Sequence, residues 1–128
     1  MSHKVIRDLE TTGSGCGAVR ITYENLDVKV EYEYAKGLIG QIRFRLVRAF
    51  RYRDEMRSLG YAKGSYDTVV EIAPSPWLDE LRSIEPPGLG DLEQQHHFAV
   101  MLSSNGYLEA IAAEVEFLPP VRGVLPEA

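Results

Sequence analysis

Residues 42 to 53, IRFRLVRAFRYR, contain five arginines and no acidic residue, although the whole chain carries a formal net charge of -5. Its apolar side chains share one parity and most of its arginines share the other: Ile42, Phe44, Leu46, Phe50 and Tyr52 against Arg43, Arg45, Arg51 and Arg53. This period of two is typical of a strand with one buried face and one solvent face. The segment therefore predicts an amphipathic β-strand, which constrains the fold more than the activity.

Arg48 is the exception to this alternation. Strict alternation places it on the apolar face between Leu46 and Phe50, where an unpaired charge costs several kcal/mol. Two interpretations follow: the strand bulges near Val47-Arg48, or Arg48 reaches a buried acid or a ligand. We prefer the bulge, because bulges commonly adjust the register of long, bent strands.

A single helix is predicted over residues 75–84. Ser75 occupies the N-cap position and Pro76 the first helical position, where each residue type is favoured. The apolar residues that follow form one stripe at helical spacing: Trp77, Leu78, Leu81 and Ile84. We expect this stripe to pack on a sheet face.

A β-hairpin is predicted after the helix, because Ser104-Asn105-Gly106-Tyr107 is the signature of a two-residue type I′ turn. With that turn, Leu102 faces Glu109 and His97 faces Glu114. The same register places Ala99, Ala110 and Ala112 on one shallow face of the hairpin, and the helix is predicted to pack there through Trp77.

These patterns together predict an α+β fold, mainly antiparallel β. We expect about six to seven strands in a sandwich or a strongly curved sheet, with the one helix on a sheet face. The composition, 45% hydrophobic and 26% charged, is that of a globular protein. Residues 1–128 are read as a single domain with an ordered core over about 18–118 and flexible ends over 1–17 and 121–128.

Cysteine content and hydropathy bear on the compartment. The single cysteine, Cys16, has no partner for a disulfide within the chain. Neither a secretory leader nor an apolar run of about 18 residues is present. We therefore expect a cytoplasmic protein that does not engage a membrane.

The sequence does not assign a catalytic residue, a metal site or a cofactor. His96 and His97 are neighbours on a strand, so their side chains point to opposite faces and do not bind one metal ion together. The predicted pair of His97 with Glu114 is either a structural ion pair or part of a pocket between the sheet and the helix. That pocket would be formed by Arg48, Trp77, His97 and Glu114.

Nucleic acid is not the favoured partner. Proteins that bind single strands place aromatic and basic side chains on the same exposed face, whereas here alternation directs most aromatics inward and the arginines outward. The acidic total charge also disfavours nucleic-acid binding.

Two further stretches, YDTVVEIAPSPWLDEL and HHFAVMLSSNGYLEAIA, follow the arginine-rich strand. In this order and spacing, over most of residues 18–118, the chain resembles a group of small uncharacterised bacterial proteins, some of which are similar to immunity proteins encoded beside secreted toxins. The resemblance implies a cytoplasmic protein that acts by binding. It transfers no catalytic residue.

The leading hypothesis is a non-enzymatic protein-binding domain, immunity-like, that engages an acidic protein surface through a charged sheet face or edge. Its candidate binding residues are Arg43, Arg45, Arg48, Arg51 and Arg53. One alternative is a small-molecule-binding or hydrolytic protein that uses the pocket near Trp77. Another is a homo-oligomeric module, such as a homodimer assembled through exposed sheet edges.

Overall fold

The computed structural model describes residues 2–9, 18–35, 37–53, 67–84, 94–102 and 106–125. Within these residues nine strands and one helix follow in chain order: β1 (Ser2–Asp8), β2 (Val19–Glu24), β3 (Asp27–Ala35), β4 (Leu38–Arg45), β5 (Ala49–Arg53), β6 (Thr68–Ala73), α1 (Pro76–Ile84), β7 (His96–Leu102), β8 (Gly106–Ala112) and β9 (Glu114–Arg122). The predicted α+β class, dominated by antiparallel strands, is confirmed.

The strands form two antiparallel sheets that pack as a sandwich. One sheet has the order β1-β6-β7-β8-β5 and the other β2-β3-β4-β9. The main core lies between them and includes Val30, Ile42 and Phe44 from the second sheet and Phe98 and Leu108 from the first. The strand count exceeds the predicted six to seven for two reasons. The segment that forms β1 was expected to be flexible, and two segments predicted as long strands each contribute one strand to each sheet: β4 with β5, and β8 with β9.

The arginine-rich segment is one of those divided strands. Arg45 pairs with Glu114 in one sheet, and Ala49 pairs with Ile111 in the other. Residues 46, 47 and 48 on this strand therefore lie opposite only residues 112 and 113, so the segment carries one extra residue. The bulge predicted near Val47-Arg48 is confirmed: Val47 is buried and Arg48 is exposed.

The predicted hairpin register is wrong. Leu102 pairs with Gly106 instead of Glu109, and His97 pairs with Ile111 instead of Glu114. The turn that was to set this register falls on residues 103–105, which lie outside the described residues. The observed register of β7 with β8 differs from the predicted one by three residues. Because successive side chains of a strand point to opposite faces, a shift by an odd number of residues changes which side chains of β8 share a face with those of β7.

The helix consequently packs on a different surface from the one predicted. Ala110 and Ala112 face the core between the sheets, so they do not share a face with Ala99. Leu78 packs instead against Ile111 on the outer face of the five-stranded sheet, with Ala49, Trp77 and Leu81 around this contact. Ile84, at the end of the predicted stripe, is exposed.

The predicted flexible ends differ from the structure where it describes them. Ser2–Asp8 form β1 and pair with β6. At the other end β9 continues through Pro119 and Pro120 to Arg122. Prolines are tolerated there because β9 is the edge strand of its sheet. Residues 10–17 and 126–128 lie outside the described residues.

Among the residues that the structure describes, there is no helix with the length and apolar character needed to cross a membrane.

Candidate functional site

Two of the candidate arginines lie on the outer face of the four-stranded sheet, where acids of β9 bind them. Arg43 Nη2 lies 2.6 Å from Glu116 Oε2, and Arg45 Nη1 lies 3.2 Å from Glu114 Oε1 and 3.1 Å from Glu116 Oε1. The hydrogen bond from Arg43 is the main reason that the pKa of Glu116 is lowered, against a smaller opposing effect of burial. These two arginines form a network with the β9 acids.

Arg51 and Arg53 lie on the other sheet, on the outer face of β5. Arg51 binds Glu109 of β8 through two hydrogen bonds, Nε to Oε2 at 2.7 Å and Nη2 to Oε1 at 3.1 Å. Arg53 Nη2 is 3.7 Å from the same carboxylate. Of the five arginines that the sequence placed on one strand, two thus lie on each sheet and Arg48 lies in the bend between β4 and β5, so the structure does not bring them together.

A buried polar chain continues from Glu109 to the start of the helix. Glu109 Oε1 lies 2.7 Å from His97 Nε2, and His97 Nδ1 lies 2.7 Å from Ser75 Oγ. Ser75 Oγ also accepts a hydrogen bond from the Leu78 N–H at 3.0 Å, as an N-cap does. We call Arg51, Glu109, His97 and Ser75 the polar clamp, because they join β5, β8, β7 and α1.

Electrostatics and stacking reinforce the polar clamp. Burial by itself would raise the pKa of Glu109, but hydrogen bonds from His97 and Arg51 and the charge of Arg51 lower it. The ionised carboxylate accepts from His97 Nε2–H, and Nδ1 can then accept the Ser75 hydroxyl proton, so each group has a partner. Trp77 meets the His97 ring edge-on at 5.3 Å, and the Arg51 guanidinium lies 4.1 Å from the Trp77 ring centroid.

A serine, an imidazole and a carboxylate in series also invite comparison with a hydrolase triad. Here the serine oxygen is engaged as a helix cap, and the carboxylate is neutralised by a bidentate arginine. Ser75, His97 and Glu109 are 6%, 1% and 0% exposed, so a substrate carbonyl does not reach the hydroxyl without opening the helix from the sheet. The geometry favours a structural role for these groups.

The pocket predicted from the sequence is only partly assembled. Trp77 and His97 do lie together. Glu114, predicted as the partner of His97, lies on β9 and binds Arg45, and Arg48 lies exposed at the bend. The acid beside His97 is Glu109, which sequence reasoning missed because the predicted register paired that residue with Leu102. The period-2 pattern of β8 does not distinguish the two registers.

An exposed apolar surface lies where the edge strands β2 and β5 adjoin. We call it the edge patch, and its side chains are 42% to 54% exposed: Tyr23, Leu26, Leu46, Phe50 and Tyr52. Tyr23 and Phe50 stack across the two sheets with ring centroids 5.6 Å apart. The alternation of the sequence predicted that Phe50 and Tyr52 would be buried. They pair with the buried Ala110 and Leu108, but their edge position leaves them in solvent.

Two leucines of the edge patch have left-handed backbone conformations. Leu26 has φ 67° in the tight turn between β2 and β3, and Leu46 has φ 55° at the bend between β4 and β5. The Val47 N–H donates to the Leu26 carbonyl at 2.6 Å, which holds the two turns side by side. A left-handed conformation costs a residue other than glycine roughly 1–2 kcal/mol. Neither leucine offsets that cost by burial, since both are exposed.

The opposite side of the sandwich differs from the edge patch. There the Arg7 guanidinium of β1 lies 4.9 Å from the Phe117 ring centroid of β9. Ile6, Leu9 and Phe117 are partly buried against the main core. Within the described ranges, an exposed stacked aromatic pair is therefore found on the β2 and β5 side.

Comparison of the chain with protein-family models, with curated proteins and with solved structures gives no match. In the described part of the chain, no three histidine, cysteine or acidic side chains are grouped so that they could hold a metal ion. The edge patch and the polar clamp are therefore features of the described residues from which a function can be inferred.

Proposed function

We propose that the chain is a non-enzymatic protein-binding domain that docks a partner protein through the edge patch. The observation that carries this proposal is the group of five exposed apolar side chains at two adjoining sheet edges. Aromatic side chains are enriched at the centres of protein interfaces, where they supply much of the binding energy. Leu26 and Leu46 also support the proposal. Each has a strained, left-handed backbone conformation and an exposed side chain, and docking of a partner would bury that side chain.

The charge beside the edge patch favours an acidic partner. Arg48, Arg51 and Arg53 follow one another along this edge, and the sequence between them holds no acid. Complementary charge around an apolar centre steers association and fixes orientation. We assign Arg43 and Arg45 a lesser part, since two β9 acids bind these two guanidinium groups, whereas Arg51 and Arg53 share the single carboxylate of Glu109.

The resemblance to immunity proteins suggests the class of partner. On that reading the protein is cytoplasmic, and the partner is a toxin encoded nearby that it inactivates by binding. The edge patch gives this proposal a defined surface to test.

Partner capture with matched variants tests the proposed function. A variant with Leu26→Gly and Phe50→Ser removes two side chains from the edge patch, whereas Ile84→Ser with Val124→Ser removes two exposed apolar side chains from positions outside it. We expect the wild type and the second variant to retain a partner from the native host or from a neighbouring gene, and the first variant to lose it. If both variants retain the partner equally, the edge patch is not the binding surface.

A further inference from the structure

We propose that a cavity on the outer face of the four-stranded sheet binds a small zwitterion, of the class of the free α-amino acids. The cavity has a volume of about 210 Å³ and is lined by residues of β2, β3, β4 and the turn between β2 and β3: Thr22, Glu24, Asn25, Asp27, Lys29 and Arg43. It shares no residue with the edge patch, so the inference is independent of the proposed function.

Strand pairing groups the charges of this cavity by sign. Glu24 of β2 faces Asp27 of β3 at the end of the ladder, beside the turn. One row further along, Lys29 faces Thr22 on β2 and Arg43 on β4. Asp27 and Lys29 are two residues apart on one strand, which separates the acidic row from the basic row by roughly 7 Å. The cavity therefore has an acidic end and a basic end.

Each row places two like charges opposite each other, Glu24 with Asp27 and Lys29 with Arg43, and such pairs are destabilising. Among the residues that the structure describes, no base forms an ion pair with Glu24 and no acid forms one with Lys29. A ligand with a cationic group at the acidic row and an anionic group at the basic row relieves both repulsions. A simple cation or anion relieves only one of them, so the charge pattern favours a zwitterion.

The other two charged groups of the cavity are held in place by the fold. Asp27 Oδ1 accepts a hydrogen bond from the Leu46 N–H at 3.2 Å. Arg43 donates to Glu116 Oε2 from Nε at 3.2 Å and from Nη2 at 2.6 Å. Side chains that are already ordered lose less conformational entropy on binding. Each end of the cavity therefore combines one fixed charge with one charge that has no ion-pair partner among the described residues.

The size and the lining of the cavity favour a small polar ligand. All six lining side chains are polar or charged, and the Thr22 hydroxyl and the Asn25 amide can each donate or accept a hydrogen bond. Sites for drug-sized ligands are mostly apolar and occupy roughly 300–1,000 Å³. A cavity of about 210 Å³ with this lining suits a molecule of the size of an amino acid.

Titration of the protein with three molecules of nearly the same shape tests the proposal, with binding followed by backbone amide shifts in nuclear magnetic resonance. L-Alanine carries both charges, L-alaninamide lacks the anionic group, and L-lactate has a hydroxyl in place of the ammonium. We expect L-alanine to shift the amide signals of β2 and β3 saturably, with a dissociation constant on the order of 1 mM. L-Alaninamide and L-lactate should bind at least about tenfold more weakly, because each loses the charged hydrogen bonds at one end.

Single substitutions assign the two ends of the cavity. Glu24→Gln should weaken binding of L-alanine about tenfold and leave binding of L-lactate unchanged. Lys29→Gln should weaken binding of L-alanine equally and leave binding of L-alaninamide unchanged. Glu33→Gln is the matched control, because Glu33 also lies on β3 but does not line the cavity, and it should bind L-alanine as the wild type does. The dispersion of the amide signals shows that each variant is folded.

Three results would overturn the zwitterion site. The first is the absence of saturable shifts with L-alanine up to about 50 mM. The second is equal affinity for L-alanine, L-alaninamide and L-lactate. The third is an affinity for L-alanine that Glu24→Gln and Lys29→Gln reduce no more than Glu33→Gln does.

Discussion

At the residue scale, Glu109 connects β5, through Arg51, to the groups that hold the helix. Its carboxylate is fully buried, and it accepts hydrogen bonds from Arg51 on one side and His97 on the other. Removing one member of a buried charged pair leaves its partner without compensation, which is far more costly than losing an exposed ion pair.

Glu109→Gln is therefore expected to lower the free energy of unfolding by roughly 3 kcal/mol at neutral pH, as measured by urea denaturation. Because the folded state depresses the pKa of Glu109, its contribution is fully present above the unfolded value of about 4.3. It is lost as the pH falls through the lower folded pKa. The difference between wild type and variant should thus shrink on acidification below about pH 4.3.

Glu116→Gln is the matched control. Glu116 also binds arginine and has a lowered pKa, but it lies near the surface. Glu116→Gln should lower the free energy of unfolding less than Glu109→Gln does. Equal losses for the two variants would show that the buried network adds no more than a surface pair.

Leu26 provides a second prediction at the residue scale. Asn25 and Leu26 both have positive φ between the paired residues Glu24 and Asp27, and glycine is the preferred second residue of such a turn. Leu26→Gly is expected to raise the free energy of unfolding by about 0.5–1 kcal/mol while weakening partner binding. A variant that is less stable, or one that binds its partner as well as the wild type does, contradicts the account of this leucine.

At the element scale, the start of α1 combines two interactions in one side chain. Ser75 caps the helix through the Leu78 N–H and bonds His97 on β7. Ser75→Ala should therefore lower the free energy of unfolding, measured by thermal or urea denaturation, by about 1–2 kcal/mol. Ser83→Ala, which removes an exposed hydroxyl bonded to the Glu80 carbonyl within the same helix, should cost much less. Similar losses of stability for Ser75→Ala and Ser83→Ala would mean that the polar clamp does not hold the helix.

The same element shows how far sequence patterns reach. The helix and its N-cap at Ser75 were predicted, because both depend on residues close together in the chain. The contact of Ser75 with His97 was not, because it depends on how α1 packs on β7. The acid beside His97 depends in turn on the register of β8, and that register changes with the number of residues in the connection.

The arginine-rich strand gives a second example. Alternation identified its two faces, and the wrong parity of Arg48 located the bulge. The transfer of the chain to the other sheet was not predicted, because a bulge and a change of sheet both interrupt the period-2 alternation of a sequence in the same way. The exposure of Phe50 and Tyr52 escaped prediction for a related reason: alternation indicates a side chain's face but not whether its strand lies at an edge.

At the scale of the whole molecule, the two sides of the sandwich have different surfaces. Arg7 covers Phe117 on the β1 and β9 side, while Tyr23 and Phe50 stack in solvent on the β2 and β5 side. The central claim is that this second side is the docking surface for a protein partner. It accounts for exposed aromatics and for strained, exposed leucines in one place.

Site-specific photocrosslinking in the native host tests that claim most directly. A photoreactive phenylalanine analogue replaces Phe50 in one variant and Ile84, which is exposed outside the edge patch, in another. The account predicts a discrete crosslinked partner from position 50 that is absent from position 84 and is lost when Leu46→Asn is added. Equal crosslinking from both positions, or no discrete product from position 50, would contradict it.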